Sequence, residues 1–481
     1  MENYENLLMD FYELTMGQAY FNKKVQNKVA YFDLFFRKCP DGASFVIANG
    51  VKKCVEFLSQ FHFEPSDIEY LRSTGQFTEE YLQYLSKLKF TGDMWAVKDG
   101  TVVFPNEPMI TVRAPLVEAQ LVETALLLYF NHASLITTKA NRIVRSAKGR
   151  AVMEFGTRRA QGESAAVDGA VYAVEAGACG TACTVAGKKY GVKTLGTMAH
   201  SFVQSFDSEF EAFKAYAESF PDNCVLLVDT FNTLKSGIPN AIKTHNEVLK
   251  PMGKKLAGIR IDSGDLAYLS KQARKMLDEA GIKDAKICTS NSLDENIIES
   301  LLAEGAPIDS FGVGENLITA KSNPVFGGVY KLVAVEKDGE IIPKIKISDN
   351  SEKIINPHFK KIVRYFDKDG KLITDVLYEN NEVVPTGRLT LKHPTQSWTT
   401  KDIEGYSCLD IRDKMIENGK VITTLPTIKQ VSDNIQKELN TLWPEALRLQ
   451  NPHTYTVNLS DKLAKTKQDL LNKAKEDNEK L

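Results

Sequence analysis

Cysteine and histidine are scarce in this chain and badly spaced for any chemistry that uses them in bulk. Seven cysteines fall at positions 39, 54, 179, 183, 224, 288 and 408. The odd number and irregular intervals argue against a secreted disulfide framework and for reduced, mostly buried thiols. Cys179 and Cys183 share a helical spacing, but the chain's seven histidines include none beside them, so a zinc site is not supported. An excess of one charge is also missing. The formal net charge is -2 with both signs interspersed, which excludes the strong positive field expected of a nucleic-acid or anionic-membrane binder. No apolar run approaches the ~18 residues of a membrane span, and Met1–Asp10 has no basic start followed by an apolar core. These absences lead us to expect a cytoplasmic protein that binds small molecules. Neither the phosphate loop of common nucleotide hydrolases nor a dinucleotide fingerprint occurs.

What is present is a change of rhythm along the chain. A helix is expected from Asp10, a strand over Ala30–Arg37, helices over Asn49–Phe61, Pro65–Arg72 and Thr78–Lys87, then β-rich material and a long apolar helix over Leu116–Tyr129. From about residue 150 to 314, strand-like runs alternate with helical ones, and successive strand ends lie roughly 25 to 40 residues apart. Such repeats fold as a doubly wound sheet or as an α/β barrel. The number of polar strand ends favours the barrel, in which all of them share one mouth. After Ala320 antiparallel signals return, among them a hairpin across Asp367-Lys368-Asp369-Gly370, and Asp461–Leu481 reads as a charged helix. The boundaries expected are 1–135 for an N-terminal α/β part, 136–320 for the repeated units, 321–430 for a β-rich part packed with the first, and 431–481 for a helical end.

The strand ends of the middle part carry the chemistry. Gly196-Thr197-Met198-Ala199-His200 follows a short apolar run, although a histidine there also fits a plain helix start. Glu154-Phe155-Gly156-Thr157-Arg158-Arg159 offers guanidinium forks for carboxylate or phosphate beside a ring that could stack on an aromatic substrate. Surface arginines and a core phenylalanine are the bland alternatives. Arg260, Asp262 and Asp265, in Ile259-Arg260-Ile261-Asp262-Ser263-Gly264-Asp265, place a base and two acids at one strand end. There carboxylates can meet ribose hydroxyls or a magnesium–phosphate complex, or simply cap a helix. Gly312-Val313-Gly314 and Ser236-Gly237-Ile238-Pro239-Asn240 offer backbone amides suited to phosphate.

Five stretches in order resemble nicotinate phosphoribosyltransferases. They are Tyr12-Glu13-Leu14-Thr15-Met16, Glu154-Phe155-Gly156-Thr157-Arg158, Gly196-Thr197-Met198-Ala199-His200, Ile259–Asp265 and Gly327-Gly328-Val329-Tyr330-Lys331. The resemblance implies an irregular α/β barrel joined to a β-containing, sandwich-like domain built from N- and C-terminal segments. It also implies a homodimer with active sites near the interface. The implied activity is C–N bond formation, making nicotinate mononucleotide from nicotinate and 5-phosphoribosyl 1-diphosphate with ATP as co-substrate and Mg2+ as cofactor. His200 would be transiently phosphorylated. Tyr12 from the partner and Phe155 would sandwich the pyridine ring, Arg260 and Thr197 would contact nicotinate, and Arg158 would add charge. Asp262, with Asp265, would serve the ribose or the metal, and Gly312 and Gly314 the phosphates. Where relatives often carry Thr-Ser after the glycine turn, this chain has Glu315-Asn316, which puts the side-chain part of that phosphate contact in question.

Two other functions compete. A nicotinamide-using relative reads its amide with an acid near the base, and Gly177–Gly187 contains no Asp or Glu. A non-catalytic metabolite sensor would keep the anion-binding groups but has no need of a reactive histidine.

Overall fold

The structure is a computed structural model that describes residues 5–347, 353–392 and 398–479. Residues divide into two compact units, Met1–Leu135 with Val325–Leu481, and Ile136–Pro324. The division falls inside one long helix, Glu123–Ser146. That helix is separated at Val122 from a short one, Leu116–Leu121, where a single apolar helix had been expected.

The first unit is built on a seven-stranded antiparallel sheet. Its order is Glu340–Pro343, Val329–Lys337, Val29–Phe35, Ile110–Pro115, Asp93–Val97, Arg412–Glu417 and Lys420–Val421. The aromatic run Tyr31–Phe35 lies in its interior, buried throughout, because strands pair with Val29–Phe35 on both edges. A second, four-stranded sheet contains the expected hairpin, Lys360–Phe366 with Leu372–Glu379. Asp367 closes its turn by accepting the amides of Asp369 and Lys371 on its carboxylate. A core of Phe45, Ile47, Val102, Phe104 and Leu372 is covered by Val431, Ile435 and Leu439 of helix Ile428–Thr441. Those last three recur every fourth residue, as one helical face requires. Within this unit the Arg364 guanidinium is buried with Asp375 at 2.7 Å and Glu438 at 2.6 Å, so its burial is compensated on two sides.

The second unit carries the repeated βα rhythm. Five parallel strands run in the order Ala151–Glu154, Ser310–Val313, Lys286–Thr289, Gly258–Ile261 and Val225–Leu227. Most of their residues are apolar and buried, the mark of parallel strands covered on both faces. Their helices start at capped positions: Ser208, Asn232, Asp265 and Asp294 each accept an amide of the first turn. Single bridges extend the row from Glu154 to Thr181 and from Thr181 to Thr194.

The expectation was an irregular α/β barrel, and what the structure shows is a mixed α/β unit on a parallel row. Among the described residues no ladder joins the Thr194 segment to Val225–Leu227. Residues 195–199 are not a regular strand, so the two ends of the row approach through side chains instead: His200 Nδ1 lies 3.1 Å from Thr230 Oγ1.

Candidate active site

Parallel register decides which residues meet. Leu227 pairs with Arg260, Ile261 with Thr289, Phe311 with Thr289, and Val313 with Glu154. The positions just beyond these pairs are Asp229, Asp262, Ser290, Gly314 and Phe155, which therefore collect along one edge of the sheet. A cavity of about 220 Å³ opens there. Phe155, Arg158, Arg260, Asp262, Gly312 and Gly314 all line it, so six of the residues singled out in sequence share one wall.

Arg260 stands at the centre. Its Nε donates to Ser290 Oγ at 3.1 Å, and Nη1 donates to Thr197 Oγ1 at 2.8 Å and to the Met198 carbonyl at 3.3 Å. Nη2 is 3.6 Å from Asp262 Oδ1, beyond hydrogen-bond range, and the guanidinium carbon sits 6.0 Å from the centroid of Phe155. An isolated arginine offers a two-nitrogen fork to a carboxylate. In this site Nε and Nη1 are already engaged, and Nη2 is the edge left to meet an anion.

Asp262 accepts the Ser290 hydroxyl on Oδ1. Its Oδ2 faces His200 Nε2 at 3.7 Å, so that imidazole nitrogen is near the carboxylate without being tied to it. The other ring nitrogen is the one held by Thr230. His200 opens the five-residue helix His200–Gln204, as the plain helix-start reading anticipated, yet it faces the acid at the sheet edge rather than standing alone.

Asp229 and Ser290 were not assigned roles in the sequence. Asp229 Oδ2 accepts the Asp262 amide at 2.9 Å and the Ser263 hydroxyl at 2.6 Å, while Oδ1 is buried without a hydrogen-bond partner. A lone buried carboxylate oxygen is costly unless a cation or donor completes it. The available signal was position: Asp229 ends the run Val225–Val228 as Asp262 ends Ile259–Ile261. Glu154 was likewise passed over. It is buried, accepts the Gly156 amide on one oxygen and Thr181 Oγ1 at 2.5 Å on the other, and burial pushes its carboxyl up. It locks the turn from which Phe155 and Arg158 project.

Asp265 caps helix Leu266–Glu279, accepting the Tyr268 amide at 2.9 Å, and is absent from the cavity wall. The amides of Ser236 and Gly237 both donate to the Asn232 carbonyl, so that segment is continuous helix and offers no open anion nest. A Cβ on Gly237 would stand 1.8 Å from the Val228 carbonyl oxygen, which explains the glycine by close packing instead. Glu315 does not confront the cavity as a bare charge: Lys321 holds it at 2.6 Å with Arg159 at 3.8 Å, and Lys321 keeps its carboxyl below the usual range. Asn316 donates to the Ser292 and Leu293 carbonyls and pins the loop where Asn291 and Ser292 adopt φ of 91° and 50°. Tyr12 belongs to the other unit, where it is exposed.

Three family models match successive parts of the chain. The nicotinate phosphoribosyltransferase N-terminal domain matches residues 7–131, the nicotinate phosphoribosyltransferase family 150–371, and the corresponding C-terminal domain 359–467. Nicotinate phosphoribosyltransferase of Bacillus subtilis is 42% identical over 95% of this chain and 93% of its own length. The chain belongs to the nicotinate phosphoribosyltransferase family. The Caenorhabditis elegans member is 33% identical, covering 95% of this chain and 92% of that one. The crystal structure of human nicotinic acid phosphoribosyltransferase superposes with a TM-score of 0.85 at 28% identity, covering 96% and 99%. Nicotinate-nucleotide pyrophosphorylase of Pyrococcus furiosus shares the fold at a TM-score of 0.68 and 21% identity, over 92% and 97%. Membership makes this chain an enzyme, a phosphoribosyltransferase, with the cavity edge as its candidate centre. Among the described residues no helix is long and apolar enough to cross a membrane, and no group of three or more His, Cys, Asp and Glu is placed to hold a metal by itself.

Proposed function

We propose that this enzyme joins nicotinate to 5-phosphoribosyl 1-diphosphate, releasing diphosphate and nicotinate mononucleotide, and couples that transfer to ATP hydrolysis through a phosphohistidine at His200. The observation that carries the proposal is the arrangement of Arg260. Its Nη2, which makes no hydrogen bond and stands 3.6 Å from Asp262 Oδ1, the Phe155 ring and Thr197 surround one space, and Asp262 links that space to His200.

Arg260 Nη2 meets the nicotinate carboxylate and thereby aims the ring nitrogen, whose lone pair needs no base to free it at neutral pH. Phe155 supports one face of the ring, and Tyr12 of a partner copy supplies the other in a homodimer with sites near the interface. At C1 of the sugar the bond to diphosphate breaks as the bond to nitrogen forms, and positive character develops on the ribose. Arg158 and the backbone at Gly312 and Gly314 stabilise the departing diphosphate, while Asp262 stands where it can accept ribose hydroxyls. Asp229 and Asp262 are the carboxylates that fit magnesium, since Asp229 Oδ1 is buried and unpartnered. Asp265 uses one oxygen for its helix cap. When bound, magnesium would offset charge on the phosphates.

For the coupled step, a Nδ1–H donated to Thr230 leaves the lone pair of His200 on Nε2. That nitrogen forms a bond to the γ-phosphorus of ATP as the bond to ADP breaks. Water later cleaves the phosphoimidazole and returns the site to its starting state. Free thiols at all seven cysteines support a cytoplasmic setting.

A nicotinamide-using enzyme is the competing reading, and the cationic Nη2 edge argues for the acid over the amide. Product formation measured with each base at matched concentrations tests this; preference for nicotinamide would overturn the substrate assignment. A sensor without turnover is tested by His200→Ala, which we expect to keep nicotinate binding while losing ATP-dependent phosphorylation and coupled product. Acid-labile phosphate at normal yield on that variant would remove His200 from the reaction.

A further inference from the structure

Ser290 has no role in anything established above, yet its side chain hydrogen-bonds to both Arg260 and Asp262. Parallel register sets it there. Ile261 pairs with Thr289, and the Ser290 amide donates to the Ile261 carbonyl at 3.1 Å, so Ser290 lies beside Asp262 at the same strand edge. The residue is buried at the wall of the cavity.

The direction of its two hydrogen bonds is forced. Arginine can only donate, so the Ser290 oxygen must accept from Arg260 Nε, at 3.1 Å. The single hydroxyl proton is then committed to Asp262 Oδ1. A one-way chain results: Arg260 polarises the hydroxyl, and the polarised hydroxyl holds one oxygen of Asp262, leaving the other oxygen 3.7 Å from His200 Nε2. The loop beyond Ser290 is restrained as well, since Asn316 donates to the carbonyls of Ser292 and Leu293. Ser290 therefore has little freedom to follow a displaced Arg260 or Asp262 by main-chain movement.

We propose that Ser290 is a positioning residue that couples occupancy of the base site at Arg260 to the Asp262–His200 pair. Resting on the functional reading above, it sets how much ATP is used per nucleotide formed according to whether the base site is filled. A base carboxylate on Nη2 draws the guanidinium toward the cavity. As Nε moves off the fixed Ser290 oxygen, the hydroxyl loses its polarising donor and holds Asp262 Oδ1 less firmly, which frees the carboxylate that faces the histidine. Without the hydroxyl, Arg260 loses its Nε anchor and Asp262 loses a donor, and the two ends of the chain act separately.

The test compares purified full-length wild type, Ser290→Ala and Ser290→Thr. Nicotinate mononucleotide and ADP are measured together, the thermal midpoint of each variant is recorded, and KM is obtained separately for nicotinate and for phosphoribosyl diphosphate. Losing a hydrogen bond to a charged group corresponds to about tenfold or more in binding. For Ser290→Ala we expect the KM for nicotinate to rise about tenfold while that for phosphoribosyl diphosphate stays within about twofold, and the ADP formed per product to increase at saturating nicotinate. Ser290→Thr, which keeps the hydroxyl, should restore both quantities to within about threefold of wild type. A wild type that makes no nicotinate mononucleotide would defeat the functional reading and this inference with it. An active wild type together with a Ser290→Ala enzyme of unchanged nicotinate KM, or of raised KM but unchanged ADP per product, would overturn the coupling alone. If Ser290→Ala fails to fold, the thermal midpoint reports it, and Ser290→Cys, which conserves volume but donates weakly, takes its place with the same two criteria.

Discussion

Replacing Gly312 by alanine adds one methyl group at the wall of the cavity and tests whether Phe155 is a platform for the base. An ideal Cβ at position 312 would lie 2.5 Å from Phe155 Cδ2, 2.6 Å from its Cε2 and 3.4 Å from Ser290 Cβ. Carbon atoms in contact settle at about 3.5–4.0 Å, so the ring must withdraw by roughly 1 Å. The strand cannot give way easily, because Ser310–Val313 is paired on both sides, to Ala151–Glu154 and to Lys286–Thr289. The ring moves instead, into the space between itself and Arg260. Overpacking of this kind costs about 1–3 kcal/mol, which an enzyme of this size survives in folded form, and Gly312 does not need a left-handed φ. A stacked aromatic contact is worth about 0.5–1.5 kcal/mol. Losing most of it, with a narrowed slot, predicts a rise of about tenfold in the KM for nicotinate and little change in that for phosphoribosyl diphosphate. Product is measured by chromatography against both substrates, beside a thermal melt. A Gly312→Ala protein that melts somewhat earlier but binds nicotinate like wild type would refute the stacking role of Phe155. Phe155→Leu in the same background should restore the melt and leave the KM high.

The two acids after the Gly258–Ile261 and Val225–Leu227 strands should separate cleanly. Asp265→Ala removes a helix cap, so we expect about 1 kcal/mol less stability in urea titration with kcat and KM unchanged. Asp229→Asn should leave stability nearly intact, lower kcat by at least about tenfold and shift the magnesium requirement upward; loss of turnover in Asp265→Ala instead would exchange their roles. In the other unit, burial pushes the Glu13 carboxyl from 4.5 to about 7 against the opposing hydrogen bond from Thr124. An acid raised in the folded state binds more protons there than when unfolded, so its contribution to stability is present below pH 4.5 and lost as pH rises to about 7. Glu13→Gln should flatten that fall, by up to about 3 kcal/mol, in urea midpoints followed from pH 4.5 to 8. Identical pH slopes for the two proteins would place the Glu13 carboxyl near its ordinary value.

Local sequence was enough for the elements whose pattern is self-contained. The helix at Phe11–Asn22, the hairpin around Asp367–Gly370 and the parallel strands from Ala151 to Val313 each carry their own period, turn residues or apolar run. Site residues that end such runs, Phe155, Arg260 and Asp262, were legible for the same reason. Asp265 could be named but not sorted, because an acid four residues beyond a strand end and an acid at a helix start look alike in one dimension.

What the chain alone determined, then, is the set of polar groups that its alternating βα units deliver and the family its motifs belong to. Only the folded arrangement decided their partners. Interstrand register, a property of separations of about 30 residues, put Ser290 between Arg260 and Asp262 and left Nη2 of the guanidinium without a hydrogen bond. It also left one oxygen of Asp229 unpartnered, engaged the charge of Glu315 with Lys321, and brought His200 at one end of the parallel row to Thr230 at the other. Hydrogen bonds between side chains depend on distances of a few ångströms between segments far apart in the chain, and no local period encodes those.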